Sequence, residues 1–387
     1  MILYDPALIM DFQEYGIMLP IAPDRGKRIL ESLGKNYVPS ARGDTMPYPG
    51  PVFSITDALV HSGSNNMLTT REDLERIHCK EFIASLYGGS SQKNRLKTAM
   101  FTTYELIDSH GCPNRYEPQR AKKPLSELFQ TILVQVSGTW LACCLALAEG
   151  PGFCYYLGGG MHHARFDSGS GFCLVNDIAI AAVKILNEKP LRLIWIIDLD
   201  VHKGDGTAEL ISFARQREEL LIPAISHEKP VQDGTAKEKP CILTLSIHMA
   251  RGWPLDTENL RVSAKDRAPN ISSDIDIGIE SGEEKEYTLR LAQGIRELER
   301  LSAALYLNKQ NNVKPDLVMV VDGADTYEHD ELPSSNLLNL TLEQCLERDN
   351  YVYRYLMDRS IPSAWIQSGG YGSRAWEPPA YFLQGVR

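Results

Sequence analysis

Asp200 and His202 stand two residues apart just past the apolar run Leu191 to Ile197, in the stretch LRLIWIIDLDVHKGDGT. On an extended backbone, side chains two apart leave the same face, so a carboxylate and an imidazole converge here. Such a pair is half of a divalent-metal site. Asp198, Lys203 and Asp205 crowd the same turn. The run before them is rich in branched residues, as suits a strand buried on both faces. In open parallel sheets, ligands bind at the carboxyl ends of strands, which is where these charges fall. By itself the stretch also fits a polar strand-to-helix turn, with an aspartate capping the next helix and Gly204 and Gly206 bending the chain.

Three further stretches end in the same way. Phe153 to Leu157 reads as a short strand running into GGGMHHARFDSGSGFCLVND, where glycines bracket His162 and His163. Glycine in such density is unfavourable unless the backbone must bend sharply or approach something closely. A strand begins after Pro315 in DLVMVVDGAD and delivers Asp322 and Asp325, and Ile361 to Gln367 leads into SGGYGSRAW with Tyr371. One histidine or aspartate at a strand end is most often a cap or a satisfied core group. Four polar strand ends on one sheet edge point to a site.

The elements that must position these groups alternate. Helices are expected from Asp24 to Leu33, Thr70 to Leu86, Ser126 to Glu149, Asp177 to Asn187 and Glu283 to about Asn308. In the second, Thr70 can cap and Leu74, Ile77, Phe82 and Leu86 recur at helical spacing; the third is apolar on most sides and therefore buried. Glu209 to Lys239 reads as a helix and a charged loop, and Ile242 to Ile247 as a strand ending near Ser246 and His248. Residues 108–124, a polar loop with three prolines, suit a binding-site rim or a lid. Alternating strands and helices predict a single α/β domain, residues 1–387, with a largely parallel central sheet flanked by helices.

Composition narrows the role. The chain has 387 residues, 43% hydrophobic and 23% charged, which is ordinary for a protein with a sizeable core. A formal charge of −10 argues against a nucleic-acid backbone binder and suits a cationic substrate weakly. Eight cysteines without a C-x-x-C pair, several in apolar runs, read as buried free thiols of a reducing cytosol. The N-terminus lacks the pattern of a signal peptide, and no segment has eighteen uninterrupted apolar residues, so a cytoplasmic protein without a membrane span is expected.

GGGMHHARFDSGSGFCLVND, IDLDVHKGDGTAEL, LSIHMARGWP, SSDIDIGI, DGAD and SGGY together resemble the histone deacetylase family of the arginase–deacetylase fold, in the family's order from about residue 74 to residue 372. The resemblance implies roles residue by residue. Asp200, His202 and Asp325 match the family's metal ligands, and two carboxylates with one imidazole leave an open coordination position, as catalytic zinc requires; ferrous iron also suits this ligand set. His162 and His163 match the paired histidines that contact the attacking water. Asp198 and Asp205 match the carboxylates behind them. His163 takes the place of the general base that later protonates the leaving amine, and His162 that of its electrostatic partner. Tyr371 matches the tyrosine that donates to the developing oxyanion.

The resemblance also implies a substrate tunnel walled by Gly171, Phe172, Trp253 and Leu332, and a potassium ion bound through Asp198, Ser246 and nearby carbonyls. Trp253 stands where the family usually carries phenylalanine. Leu332 stands where a glutamate would favour a polyamine. Lys203 replaces a histidine or glutamine and, by strand period, points away from the metal. TYEHDEL follows Asp325 where a Gly-Asp-Pro turn is common, and the first thirty residues diverge. The expected activity is metal-dependent hydrolysis of an acyl-lysine amide in a protein or peptide. The alternatives are an acylpolyamine or other small-molecule amidohydrolase, a catalytically silent acyl-lysine binder and an arginase-like two-manganese enzyme. A silent binder would normally have lost a ligand, a histidine or the tyrosine, and all are present here.

Overall fold

The computed structural model describes residues 1–34, 51–61, 68–87, 93–108, 110–148, 152–217, 240–256, 271–305 and 313–386. In chain order the elements are β1 (Ile2–Leu3), α1 (Arg25–Ser32), β2 (Val52–Phe53), α2 (Ile55–His61), α3 (Arg71–Ile77), α4 (Lys80–Tyr87) and α5 (Lys93–Thr103). They continue with α6 (Leu128–Ala148), β3 (Phe153–Tyr156), α7 (Asp177–Glu188), β4 (Leu193–Asp198), α8 (Asp205–Gln216), β5 (Cys241–Met249) and β6 (Ile275–Ile279). Last come α9 (Tyr287–Leu305), β7 (Leu317–Asp322), α10 (Leu342–Asp358), β8 (Ser363–Gln367) and α11 (Glu377–Gly385).

The strands form one eight-stranded sheet in the order β2-β1-β3-β8-β7-β4-β5-β6, and each pairing is parallel. The chain leaves β3 for β4 and later inserts β8 and β7 between them. The four strands that end in chemistry, β3, β8, β7 and β4, are therefore consecutive. Register aligns their ends: Asp198 pairs with Val321, Val321 with Ile366 and Asp322 with Gln367. A strand order that reverses across a gap opens a crevice at the carboxyl edge, and that is where the polar residues gather.

Both faces of the sheet are covered, which explains why its central strands carry branched residues without alternation. Ile194 and Ile196 of β4 and Met319 of β7 join the core under α6 and α7. Leu193, Trp195 and Ile197, with Val318 and Val320, join the core under α9, α10 and α11. Helix α6 is long and apolar enough to cross a membrane by length and composition, yet 72% of that stretch is buried inside the protein. Packing against α7, β3 and β8 accounts for its apolar faces.

Several expectations are corrected. The helix expected over Thr70 to Leu86 is two helices, broken where His78 takes an extended conformation (φ −99°, ψ 161°). Two-residue strands β1 and β2, which no periodicity marks, extend the sheet beyond β3. Of the cysteines read as buried, Cys112 is exposed and Cys79 and Cys241 are half-buried. The charged loop up to Lys239 and the last turn of the helix expected to reach Asn308 lie outside the described residues.

Candidate active site

Asp200 and His202 leave the turn after β4, and Asp325 leaves the turn after β7, the neighbouring strand. Their ligand atoms all lie within 4.8 Å of one another, and all three residues are buried. His202 presents Nδ1 to both carboxylates, 3.3 Å from Asp200 Oδ1 and 3.2 Å from Asp325 Oδ2. Its Nε2 lies 3.3 Å from Ser334 Oγ. Each carboxylate is held by one oxygen or both: Asp200 Oδ2 accepts from Ser368 Oγ and the Gly369 N–H, both at 2.9 Å, and Asp325 Oδ1 accepts from the Val201 N–H at 3.0 Å. Asp325 Oδ2, by contrast, is buried without a hydrogen bond. Two buried carboxylates around one imidazole, with one oxygen orphaned toward it, fit a divalent cation in that position. His162, His163 and Asp200 also lie close enough to hold an ion. Both of those imidazoles, however, commit Nδ1 to carboxylates of their own.

His162 Nδ1 meets Asp198 Oδ2 at 2.8 Å, and His163 Nδ1 meets Asp205 Oδ1 at 2.8 Å. The two rings lie 3.9 Å apart between centroids. Each carboxylate fixes its ring's orientation and leaves Nε2 to face the site. Burial alone would lower the His162 pKa, but the Asp198 and Asp200 charges push it up to about 10. Burial and the His162 charge push His163 down to about 3. Within the pair, charge is thus favoured on His162 and disfavoured on His163.

Tyr371 follows β8 on a loop that many groups hold. Its N–H donates to Asp330 Oδ2 at 2.7 Å, and Arg25 donates to the carbonyls of Ser368, Gly369 and Gly370 at 3.0, 3.2 and 3.1 Å. Burial, then the nearby Asp325 and Asp200 carboxylates, raise the phenol well above its ordinary range, so it stays a hydrogen-bond donor. Phe172 packs edge-on to Tyr371 with centroids 6.4 Å apart. Trp253 stands over His163 at 4.4 Å and His202 at 5.5 Å. Gly171 joins these walls. A Cβ there would lie 2.3 Å from Trp253 and 2.7 Å from His163, and its φ is +52°. Leu332 is buried, and its N–H donates to Asp330 Oδ1 at 2.9 Å, so one carboxylate ties Leu332 to Tyr371. Beyond Tyr371, Arg25 and Met161 a cavity of about 120 Å³ opens.

Of the pair linked to potassium, Asp198 and Ser246 are direct neighbours across β4 and β5, and Ser246 Oγ accepts from the Gly204 N–H at 3.4 Å. Lys203 is buried but turned away to Asp276, 2.8 Å off. Within the 108–124 loop, Arg115 lies 5.2 Å from the Phe172 ring centroid. The sequence reading missed Arg25, Arg165, Asp330 and Arg348. Arg348, fully buried on α10, donates to the carbonyls of Leu199 and Gly323, both at 3.1 Å, and so ties the two turns that carry the metal-ligand candidates. No local pattern marks this role, since the two turns that it joins are distant in sequence.

A parallel eight-stranded sheet with this site at its carboxyl edge is an arginase–deacetylase fold. An acetylpolyamine aminohydrolase of Burkholderia pseudomallei has a similar structure, with a TM-score of 0.58 at 16% identity over 100% of this chain and 98% of that one. So has the HD domain of HDA15, with a TM-score of 0.57 at 19% identity over 100% and 90%. Residues 20–379 match the histone deacetylase domain model; the chain belongs to the histone deacetylase family. An uncharacterized protein of Picosynechococcus is 31% identical over 62% of this chain and 63% of its own length. Histone deacetylase 2 of Arabidopsis thaliana is 26% identical over 77% and 60%. The acetoin utilization protein AcuC of Staphylococcus aureus is 29% identical over 57% of this chain and 46% of its own length. The chain thus spans less than two thirds of the length of these relatives.

Proposed function

We propose that this chain is a metal-dependent deacylase that hydrolyses the amide of an acyl-lysine in a protein or peptide, releasing a carboxylate and a free amine. The observation that carries the reading is the convergence, on four consecutive strands, of Asp200, His202 and Asp325 with two His–Asp pairs and a buried tyrosine. Asp200, His202 and Asp325 would hold zinc or ferrous iron, which when bound supplies Lewis-acid polarisation and an acidified water. His163, neutral and fixed by Asp205, takes the proton of the attacking water and returns it to the leaving amine. His162, held by Asp198, supports the negative charge that develops beside it. Tyr371 donates to the carbonyl oxygen as charge develops there. Trp253 and Phe172 form apolar walls that suit the methylenes of a lysine stem. Asp198 and Ser246 would contribute to a potassium site beside this centre.

Leu332 supports acyl-lysine over acylpolyamine, because a leucine at this position, unlike a glutamate, supplies no carboxylate for a second ammonium. The test is a panel of acetyl-, longer acyl- and trifluoroacetyl-lysine peptides beside acetylpolyamines, each with and without chelator. Turnover of lysine peptides that the chelator abolishes supports the reading. Turnover confined to polyamines moves the chain to the second class, and none with any amide overturns both.

A further inference from the structure

The break between α3 and α4 is built against the segment that follows the paired histidines. His78 is 1% exposed and uses both ring nitrogens. The Asn176 N–H donates to its Nε2 at 3.0 Å. Nδ1 must therefore carry the hydrogen, which it donates to the Arg165 carbonyl at 2.8 Å. The next residue's N–H, that of Cys79, donates to the Phe166 carbonyl at 2.7 Å. In a continuous helix the Cys79 N–H would instead donate to the carbonyl four residues back. From the other side, Glu209 of α8 accepts from the Phe166 N–H at 3.0 Å and from Arg165 Nη1 at 2.8 Å.

What this clasp holds in place is the Arg165 guanidinium. Its Nη2 donates to Asp205 Oδ2, and the other oxygen of that carboxylate meets His163 Nδ1 at 2.8 Å. The run from Glu209 through Arg165 and Asp205 to His163 is continuous, and its side chains are 15%, 12%, 2% and 4% exposed. Asp198 behind His162 has no such partner: among the described residues no lysine or arginine pairs with it. Of the two pairs, then, only the one assigned proton transfer is backed by a cationic side chain. A guanidinium so placed keeps Asp205 anionic and stops it rotating, and an oriented anion fixes the tautomer and direction of His163.

We infer that Arg165 is a positioning residue for His163, acting through Asp205, and that Glu209 and the helix break at His78 and Cys79 exist to hold it. This rests on the deacylase reading for its kinetics but not for its geometry. The test is steady-state kinetics and metal titration on the full chain, comparing wild type with Arg165→Met, Arg165→Lys and Glu209→Gln. Arg165→Met should lower kcat about 10- to 100-fold, on the scale known for losing the outer partner of a metal-ligating histidine. KM and metal affinity should stay within about twofold, because no metal-ligand candidate touches Arg165. Arg165→Lys should recover part of the loss, and Glu209→Gln should show a smaller loss with the same split. If Arg165→Met does not fold, Glu209→Gln and Arg165→Lys carry the test by that split. A kcat within twofold of wild type, a loss that appears in KM or metal affinity instead, or an Arg165→Lys no better than Arg165→Met overturns the inference. If wild type hydrolyses no amide, the deacylase reading falls and positioning is read by NMR. The hydrogen-bonded Nδ1–H of His163 should then give a downfield proton signal in wild type that Arg165→Met loses; an unchanged signal overturns the inference.

Discussion

Gly369 lies against the proposed metal position so closely that a single methyl tests it. A Cβ at this residue would lie 2.1 Å from Asp325 Oδ2 and 2.6 Å from Asp200 Oδ2. Non-bonded contact normally begins at roughly 3.5 Å, so both carboxylates must shift, by roughly 1 to 1.5 Å. Neither moves freely: Asp200 Oδ2 is held by Ser368 and by Gly369 itself, and Asp325 Oδ1 by the Val201 N–H. Gly369 is not in the left-handed region, so alanine adds a steric conflict without backbone strain. Losing an outer partner of a metal ligand costs about 10- to 100-fold in metal affinity, and displacing two ligands should reach the upper end. Gly369→Ala should therefore bind zinc about 100-fold more weakly in chelator competition, with a cooperative melt retained for the protein without metal. Affinity within threefold of wild type, with the variant folded, would refute this placement of the ion.

Three further predictions follow from the same geometry. Tyr371→Phe removes one oxyanion donor and should lower kcat about 10²- to 10³-fold, with much less effect on KM and none on metal content; a kcat within about twofold of wild type removes Tyr371 from the chemistry. His163→Ala should cost more rate than His162→Ala, since proton transfer is typically worth roughly 10²- to 10⁴-fold, and the reverse order at full metal occupancy reverses the assignment. His78 has a pKa lowered by burial from 6.5 to about 4, so the unfolded chain takes up a proton that the folded one refuses. That contribution is fully present above pH 6.5 and is lost as pH falls toward 4, up to about 3 kcal/mol. Denaturant titrations should thus find that His78→Gln flattens the acid limb over this window, and an acid limb identical to wild type would count against a buried neutral His78.

The sheet and the candidate site groups were legible because their signals are local. Apolar strands such as Leu193–Asp198 stop abruptly in charge, and parallel α/β architecture puts those stops on one edge. Support from a distance left no such trace. Arg348 reaches Leu199 across 149 residues and Arg25 reaches Gly369 across 344, and nothing near either arginine announces the contact. The helix break left little sign, since Leu74, Ile77, Phe82 and Leu86 keep helical spacing across it. Capping at Thr70 and the apolar run after Cys79 masked it, because each half is a sound helix by itself. Arg165 sits beside His162 and His163 in plain view. Its role depends on Glu209 and Asp205, which only the fold brings near.

The central claim is amide hydrolysis at a site made by Asp200, His202 and Asp325. The most direct measurement is carboxylate release from an acetyl-lysine peptide by the purified chain, followed with metal analysis through chelation and reloading. Wild type should lose activity and metal together in chelator and regain both on addition of zinc or ferrous iron, whereas Asp200→Ala and His202→Ala should fold but recover neither. Hydrolysis that persists after the metal is removed, or full metal occupancy in either variant, would contradict it.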